Sequence, residues 1–163
     1  MNQQYLSNLF KKIQENKKKI KIQYKSEHNF ESEFHSLLTE SSFAEIPKGK
    51  DITKNIYGLE YPNISHEEIK KRWSTIKSKI ENKNSIEIVE NPFSKINHHF
   101  IKQPYGSQSF PDFLVFTKNA IFPIEIKSNI NSNRPKWNSS LPRSQAIYIY
   151  IRTTLPFSRV KTF

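Results

Sequence analysis

Asp112, Glu125 and Lys127 are the residues whose types and spacing could do chemistry together. They sit at the ends of two apolar, strand-like runs, 113–116 and 120–126, separated by the polar pair Lys118-Asn119. If that pair makes a two-residue hairpin turn, cross-strand partners have residue numbers adding to the same total, which sets Asp112 directly opposite Glu125. Side chains alternate along a strand, so Lys127 follows Glu125 on one face while Ile124 and Ile126 point to the other. Two facing carboxylates about 5 Å apart repel unless a positive charge joins them. A hard divalent cation such as Mg²⁺ meets that need, because it prefers carboxylate and carbonyl oxygens and retains waters, leaving room for a phosphate. A neighbouring ammonium can orient or help deprotonate an attacking water and stabilise charge on phosphoryl oxygens, the main demand in phosphodiester hydrolysis. Pro123 fits the same register. It falls at a non-hydrogen-bonded pair with Leu114, where its missing N–H concerns only the other neighbouring strand.

Pro111-Asp112 and Glu125-Ile126-Lys127 resemble the PD-(D/E)xK nuclease superfamily, and the flanking runs Gln103-Pro104-Tyr105-Gly106 and Arg134-Pro135-Lys136-Trp137-Asn138 are similar to type II restriction endonucleases. The resemblance covers residues 104–150. It implies an α/β fold with a restriction-endonuclease-like core, a mixed and mostly antiparallel sheet flanked by helices. It further implies Mg²⁺ held by Asp112, Glu125 and the main-chain carbonyl of Ile126, with Lys127 serving the water nucleophile. The expected reaction is cleavage of double-stranded DNA at specific sequences. Such enzymes commonly act as homodimers so that each strand is cut once, and a cognate DNA methyltransferase is expected in the same system. The same core serves Holliday-junction resolvases and repair nucleases, which prefer other DNA structures. Outside enzymes, the chain would be a DNA-binding module with an incomplete catalytic fold.

The superfamily often adds a glutamate from the helix preceding the sheet, and Glu31-Ser32-Glu33-Phe34-His35-Ser36-Leu37-Leu38 is similar to that helix. Its apolar stripe, Phe30, Phe34, Leu37 and Leu38, leaves Glu31 and Glu33 on the margins, and the spacing favours Glu31 as the fourth catalytic residue. An acid near a helix N-terminus is equally explained by the macrodipole. His35 reads as a surface residue without a partner.

The chain of 163 residues carries 26 Lys and Arg against 15 Asp and Glu, a formal charge of +11. That size suits one domain, with a basic helical part over about 1–83 and the catalytic sheet over about 84–151. The charge favours a polyanionic partner. There is no cysteine, which excludes disulfides, thiol catalysis and Cys-ligated zinc. No long apolar run or signal-peptide pattern is present, so the expectation is a cytoplasmic protein without a membrane partner.

Within the first 25 residues seven lysines accompany Leu6, Leu9, Phe10 and Ile13 at helical spacing, predicting an amphipathic basic helix that docks by its apolar side or touches DNA phosphates. Ser65 and Glu68 form a capping-box pattern, and Ile69, Trp73, Ile76 and Ile80 follow as a core stripe. Between these helices the chain reads as a polar connection. Residues 85–89 and 96–102 read as strands, the second holding His98 and His99 on opposite faces, a poor metal pair. No glycine-rich phosphate loop is present.

Beyond Lys127, Arg134, Lys136, Asn138 and Arg143 offer donors to phosphates or base edges, and Trp137 a packing or stacking surface. Residues 146–151 predict a last strand. Only a short stretch follows it, where restriction enzymes often continue, so the expectation includes a shortened C-terminus.

Overall fold

The computed structural model describes residues 2–15, 27–130 and 145–153. Along them run helices α1 (Asn2–Glu15), α2 (Glu27–Glu40), α3 (Ile52–Glu60) and α4 (His66–Glu81). The strands are β1 (Ala44–Glu45), β2 (Val89–Glu90), β3 (His99–Lys102), β4 (Phe113–Phe116), β5 (Ala120–Ile130) and β6 (Ile147–Thr153). They form one mixed sheet in the order β1-β3-β4-β5-β2, with β6 also paired to β5. β1–β3 and β5–β6 are parallel, whereas β2–β5, β3–β4 and β4–β5 are antiparallel. The chain is therefore α/β with a mixed sheet flanked by helices.

The β4–β5 hairpin has the register that its turn predicts. Phe113 pairs with Ile124, Leu114 with Pro123, Val115 with Phe122 and Phe116 with Ile121. Thr117 closes it: its backbone N–H donates to the Ala120 carbonyl at 2.9 Å, and its hydroxyl oxygen accepts the Ala120 N–H at 3.2 Å. The Thr117 carbonyl instead accepts from Asn91 Nδ2 at 2.7 Å. Neither turn residue has a positive φ, so a threonine side chain does what left-handed residues do in the commonest two-residue hairpins.

Alternation sorts the sheet's side chains onto two cores. Phe100, Phe113, Val115, Ile124 and Ile126 pack against Leu6 and Leu9 of α1 and Phe30, Phe34, Leu37 and Leu38 of α2. On the other face Ile101, Leu114, Phe116 and Ile121 pack beneath Ile56 of α3 and Ile69, Trp73, Ile76 and Ile80 of α4. Burying each such side chain contributes about 1.5–3 kcal/mol, which is what fixes both helical layers on the sheet. α4 begins at Ser65, whose hydroxyl oxygen accepts the Glu68 N–H at 3.2 Å. Only half of the capping box forms, because the Glu68 carboxylate turns to Arg72 Nε at 3.0 Å.

Several expectations are corrected. The polar connection before α4 contains β1 and α3. Asp51 caps α3 by accepting from Thr53 N–H at 3.0 Å, but a nine-residue helix containing Gly58 offers too little periodicity to read. Of 85–89 only Val89 joins a strand, and Ile86 and Ile88 are exposed, because β5 meets this edge only at Ala120 and Ile121. The β3 strand begins at His99, since His98 has φ 56° and breaks the alternation. His35 does have a partner: its Nε2 lies 2.8 Å from Glu45 Oε2, joining α2 to β1.

Candidate active site

At the end of the hairpin opposite its turn, β4 and β5 bring Asp112 and Glu125 together. Asp112 Oδ2 accepts the Ile126 N–H at 2.7 Å, and Glu125 Oε2 accepts the Asp112 N–H at 3.2 Å. Each acid thus caps the other strand's backbone. Glu125 Oε1 meets Lys127 Nζ at 2.6 Å, two residues on along the same face.

Proline explains why the ladder ends here. The register that pairs Phe113 with Ile124 would next bring Ile126 to Pro111 as a hydrogen-bonded pair. Pro111 has no N–H to give. The Ile126 N–H, which the Pro111 carbonyl could have accepted in a continued ladder, is taken instead by the Asp112 carboxylate, and a continued ladder would leave the Ile126 carbonyl opposite a residue with no backbone N–H.

From the β3 side, Gln103 N–H donates to the Asp112 carbonyl at 2.6 Å, carrying the β3–β4 ladder one pair past Lys102 and Phe113. Gln103 then turns out of the strand at φ 47°. Its Nε2 lies 3.4 Å from Glu31 Oε2, at the outer limit of a hydrogen bond. Glu31 is buried, whereas Glu33 is half-buried.

The electrostatics are those of a site short of positive charge. Burial pushes the Asp112 carboxyl up to about 7, helped by the charge of Glu125 and less by that of Glu31. The Ile126 N–H and the Lys127 ammonium oppose the shift without cancelling it. Among the described residues, the ammonium that acts on Asp112 is that of Lys127, beside three carboxylates, so at neutral pH a proton occupies part of the place a cation could take.

Among the described residues, no three His, Cys, Asp or Glu side chains are grouped to hold a metal ion. The Asp112 and Glu125 carboxylates are brought together by each capping the other strand, and the resemblance adds the main-chain carbonyl of Ile126 as a third oxygen. Oxygen-only donors in that number suit a hard cation that keeps much of its water, so the residues present fit Mg²⁺ better than a cage-bound metal such as zinc.

Asp112, Glu125, Ile126, Lys127 and Glu31 are thus placed around one end of the sheet. Arg134, Lys136, Trp137, Asn138 and Arg143 lie outside the described residues. Lys12, a candidate phosphate contact, donates to the Glu40 carbonyl at 3.3 Å and ties α1 to the end of α2. Sequence reasoning missed Gln103, whose only sign was its place in the run before Asp112. It also missed Tyr148 and Tyr150, which β6 sets in register beside Glu125 and Lys127. The alternation of 147–151 puts both tyrosines on one face, but the parallel pairing with β5 left no mark in the sequence.

No protein-family model, curated protein or solved structure matches the chain. Among the described residues no helix is long and apolar enough to cross a membrane.

Proposed function

We propose that this chain is a Mg²⁺-dependent deoxyribonuclease with a PD-(D/E)xK-type, restriction-endonuclease-like core, cutting double-stranded DNA at specific sequences. The observation that carries the reading is the hairpin register that sets Asp112 against Glu125, with Lys127 paired to Glu125 at 2.6 Å. The raised proton affinity of Asp112 supports it, as does the register, which would bring Ile126 opposite Pro111 and its missing N–H.

Asp112, Glu125 and the Ile126 carbonyl would hold the cation, with Glu31 at the margin. When bound, Mg²⁺ supplies a Lewis acid that offsets charge developing on the phosphoryl oxygens. Lys127 donates hydrogen bonds to the attacking water and to the phosphoryl oxygen it approaches, favouring the charge-separated transition state. Gln103 positions rather than reacts, because its backbone holds Asp112 and its amide faces Glu31. Hydrolysis adds water across one P–O bond, leaving a phosphomonoester on one product and a hydroxyl on the other.

The test is to incubate purified protein with unmethylated plasmid and phage DNA, with Mg²⁺ or chelator, and resolve the products on a gel. Discrete Mg²⁺-dependent bands are expected, with Asp112→Ala, Glu125→Ala and Lys127→Ala each slower by at least about 100-fold. Full cleavage by the Lys127 variant would remove its assigned role. A folded protein that shifts DNA without cutting it in Mg²⁺ would overturn the nuclease reading in favour of a binding module.

A further inference from the structure

A groove of about 460 Å³, one wall of which follows directly on Gln103 in the chain, has four lysines as its charged lining residues, Lys48, Lys50, Lys70 and Lys77, with no carboxylate among its walls. Lys48 and Lys50 come from the segment between β1 and α3, Lys70 and Lys77 from α4, and the far wall is Pro104, Tyr105 and Gly106. All four lysines are exposed. Lys48 and Lys50 make no ion pair among the described residues. Lys70 lies 3.1 Å from Glu67 and Lys77 3.8 Å from Glu81, both exposed pairs along one helix that a stronger anion readily replaces.

The floor is built to keep its shape. Trp73 is buried in the core under α4, and its ring lies 5.6 Å from that of Tyr105, over which Lys77 Nζ sits at 5.4 Å. Burial and the charge of Glu81 push the Tyr105 phenol upward, so it adds no negative charge to the groove. Two of the chain's three glycines lie in the walls, Gly49 at φ +56° and Gly106 at φ +120°. A side chain at either would be strained.

The groove and the carboxylate site share one short loop. Gln103 holds Asp112 and faces Glu31, and the next three residues form the groove wall. The groove wall is thus joined by chain continuity to the residue that holds Asp112. We infer that this groove binds the sugar-phosphate backbone of nucleic acid on one side of the phosphodiester to be cut, through Lys48, Lys50, Lys70 and Lys77. The identity of the polyanion rests on the nuclease reading. The placement of the groove does not.

Contacts of this kind neutralise phosphates and release counterions without reading bases. The groove should thus set affinity and salt dependence equally for unrelated sequences. The test is anisotropy of a short labelled duplex in chelator, across a salt series, for wild type, for the Lys48→Ala/Lys50→Ala/Lys70→Ala/Lys77→Ala variant, and for Lys83→Ala/Lys118→Ala as a control of exposed lysines elsewhere. The quadruple variant should bind at least tenfold more weakly at low salt, and its slope of log affinity against log salt should fall by about 3–4. The control should change both far less. Wild-type affinity and slope in the quadruple variant would overturn the inference, as would displacement of the duplex by inorganic phosphate at equal phosphate concentration, which would assign the groove to isolated anions. Because binding is read without Mg²⁺, these outcomes are separate from cleavage. Loss of binding in the quadruple variant beside an inactive wild type would leave the groove standing and the nuclease reading fallen.

Discussion

Asp112 is the residue at which the proposed chemistry and the stability of the fold meet. Its carboxyl titrates at about 7 in the folded protein against an ordinary 3.8. Between those values the folded chain holds a proton that the unfolded chain has released. Cation-free stability must therefore fall as pH rises through that window, by up to about 4 kcal/mol, and level off above it. Asp112→Asn keeps an acceptor for the Ile126 N–H and removes the charge. In chelator the variant should melt near the wild type at pH 5 and several degrees above it at pH 8. Equal melting at both values would show that the acid is not strained by its neighbours. Adding Mg²⁺ at pH 8 should raise the wild-type midpoint and leave the variant's almost unmoved, since a ligand stabilises only the form that binds it.

At the scale of the element, the hairpin is held from its turn. Thr117→Val keeps the shape but leaves the part-buried Ala120 N–H without its acceptor, and should cost about 1 kcal/mol in urea denaturation. An unchanged midpoint would mean that the backbone alone sets the register. This hairpin was the most legible part of the sequence, because a two-residue turn between apolar runs leaves one natural pairing and fixes Asp112 against Glu125 by arithmetic. The long stripes of α1, α2 and α4 were legible for a similar reason: Phe30, Phe34, Leu37 and Leu38 repeat often enough to declare a period. Short elements were not. β1 and β2 have two residues each, too few for any pattern, and α3 declared itself only by Asp51 and two isoleucines. Glu60 shows the remaining difficulty. Buried at the end of α3, it accepts from the N–H groups of Ser94, Lys95 and Ile96 and from the Ser94 hydroxyl, fastening the segment that leads into β3. A lone glutamate more than thirty positions from its partners carries no local signal of that role.

At the scale of the whole molecule, the formal charge of +11 would be, on the proposed reading, the broad attraction on which the groove imposes a path. The two cores divide the labour beneath it. The layer of α3 and α4 lies on the face that carries Asp112, Glu125 and Lys127 and supplies two of the groove's lysines, while the layer of α1 and α2 lies on the other face and sends Glu31 around the sheet end. Phe34→Ala empties the centre of that second layer, where Phe34 packs edge-on to Phe113 with ring centroids 5.0 Å apart. It should lower global stability by about 3–5 kcal/mol, read by urea denaturation. The carboxylate cluster thus acts as a coincidence detector for folding. A partly assembled chain, with the hairpin closed but α2 undocked, would possess the acid pair and the lysine yet lack its fourth member, so the complete cluster exists only in molecules where the hairpin is closed and α2 is docked on it.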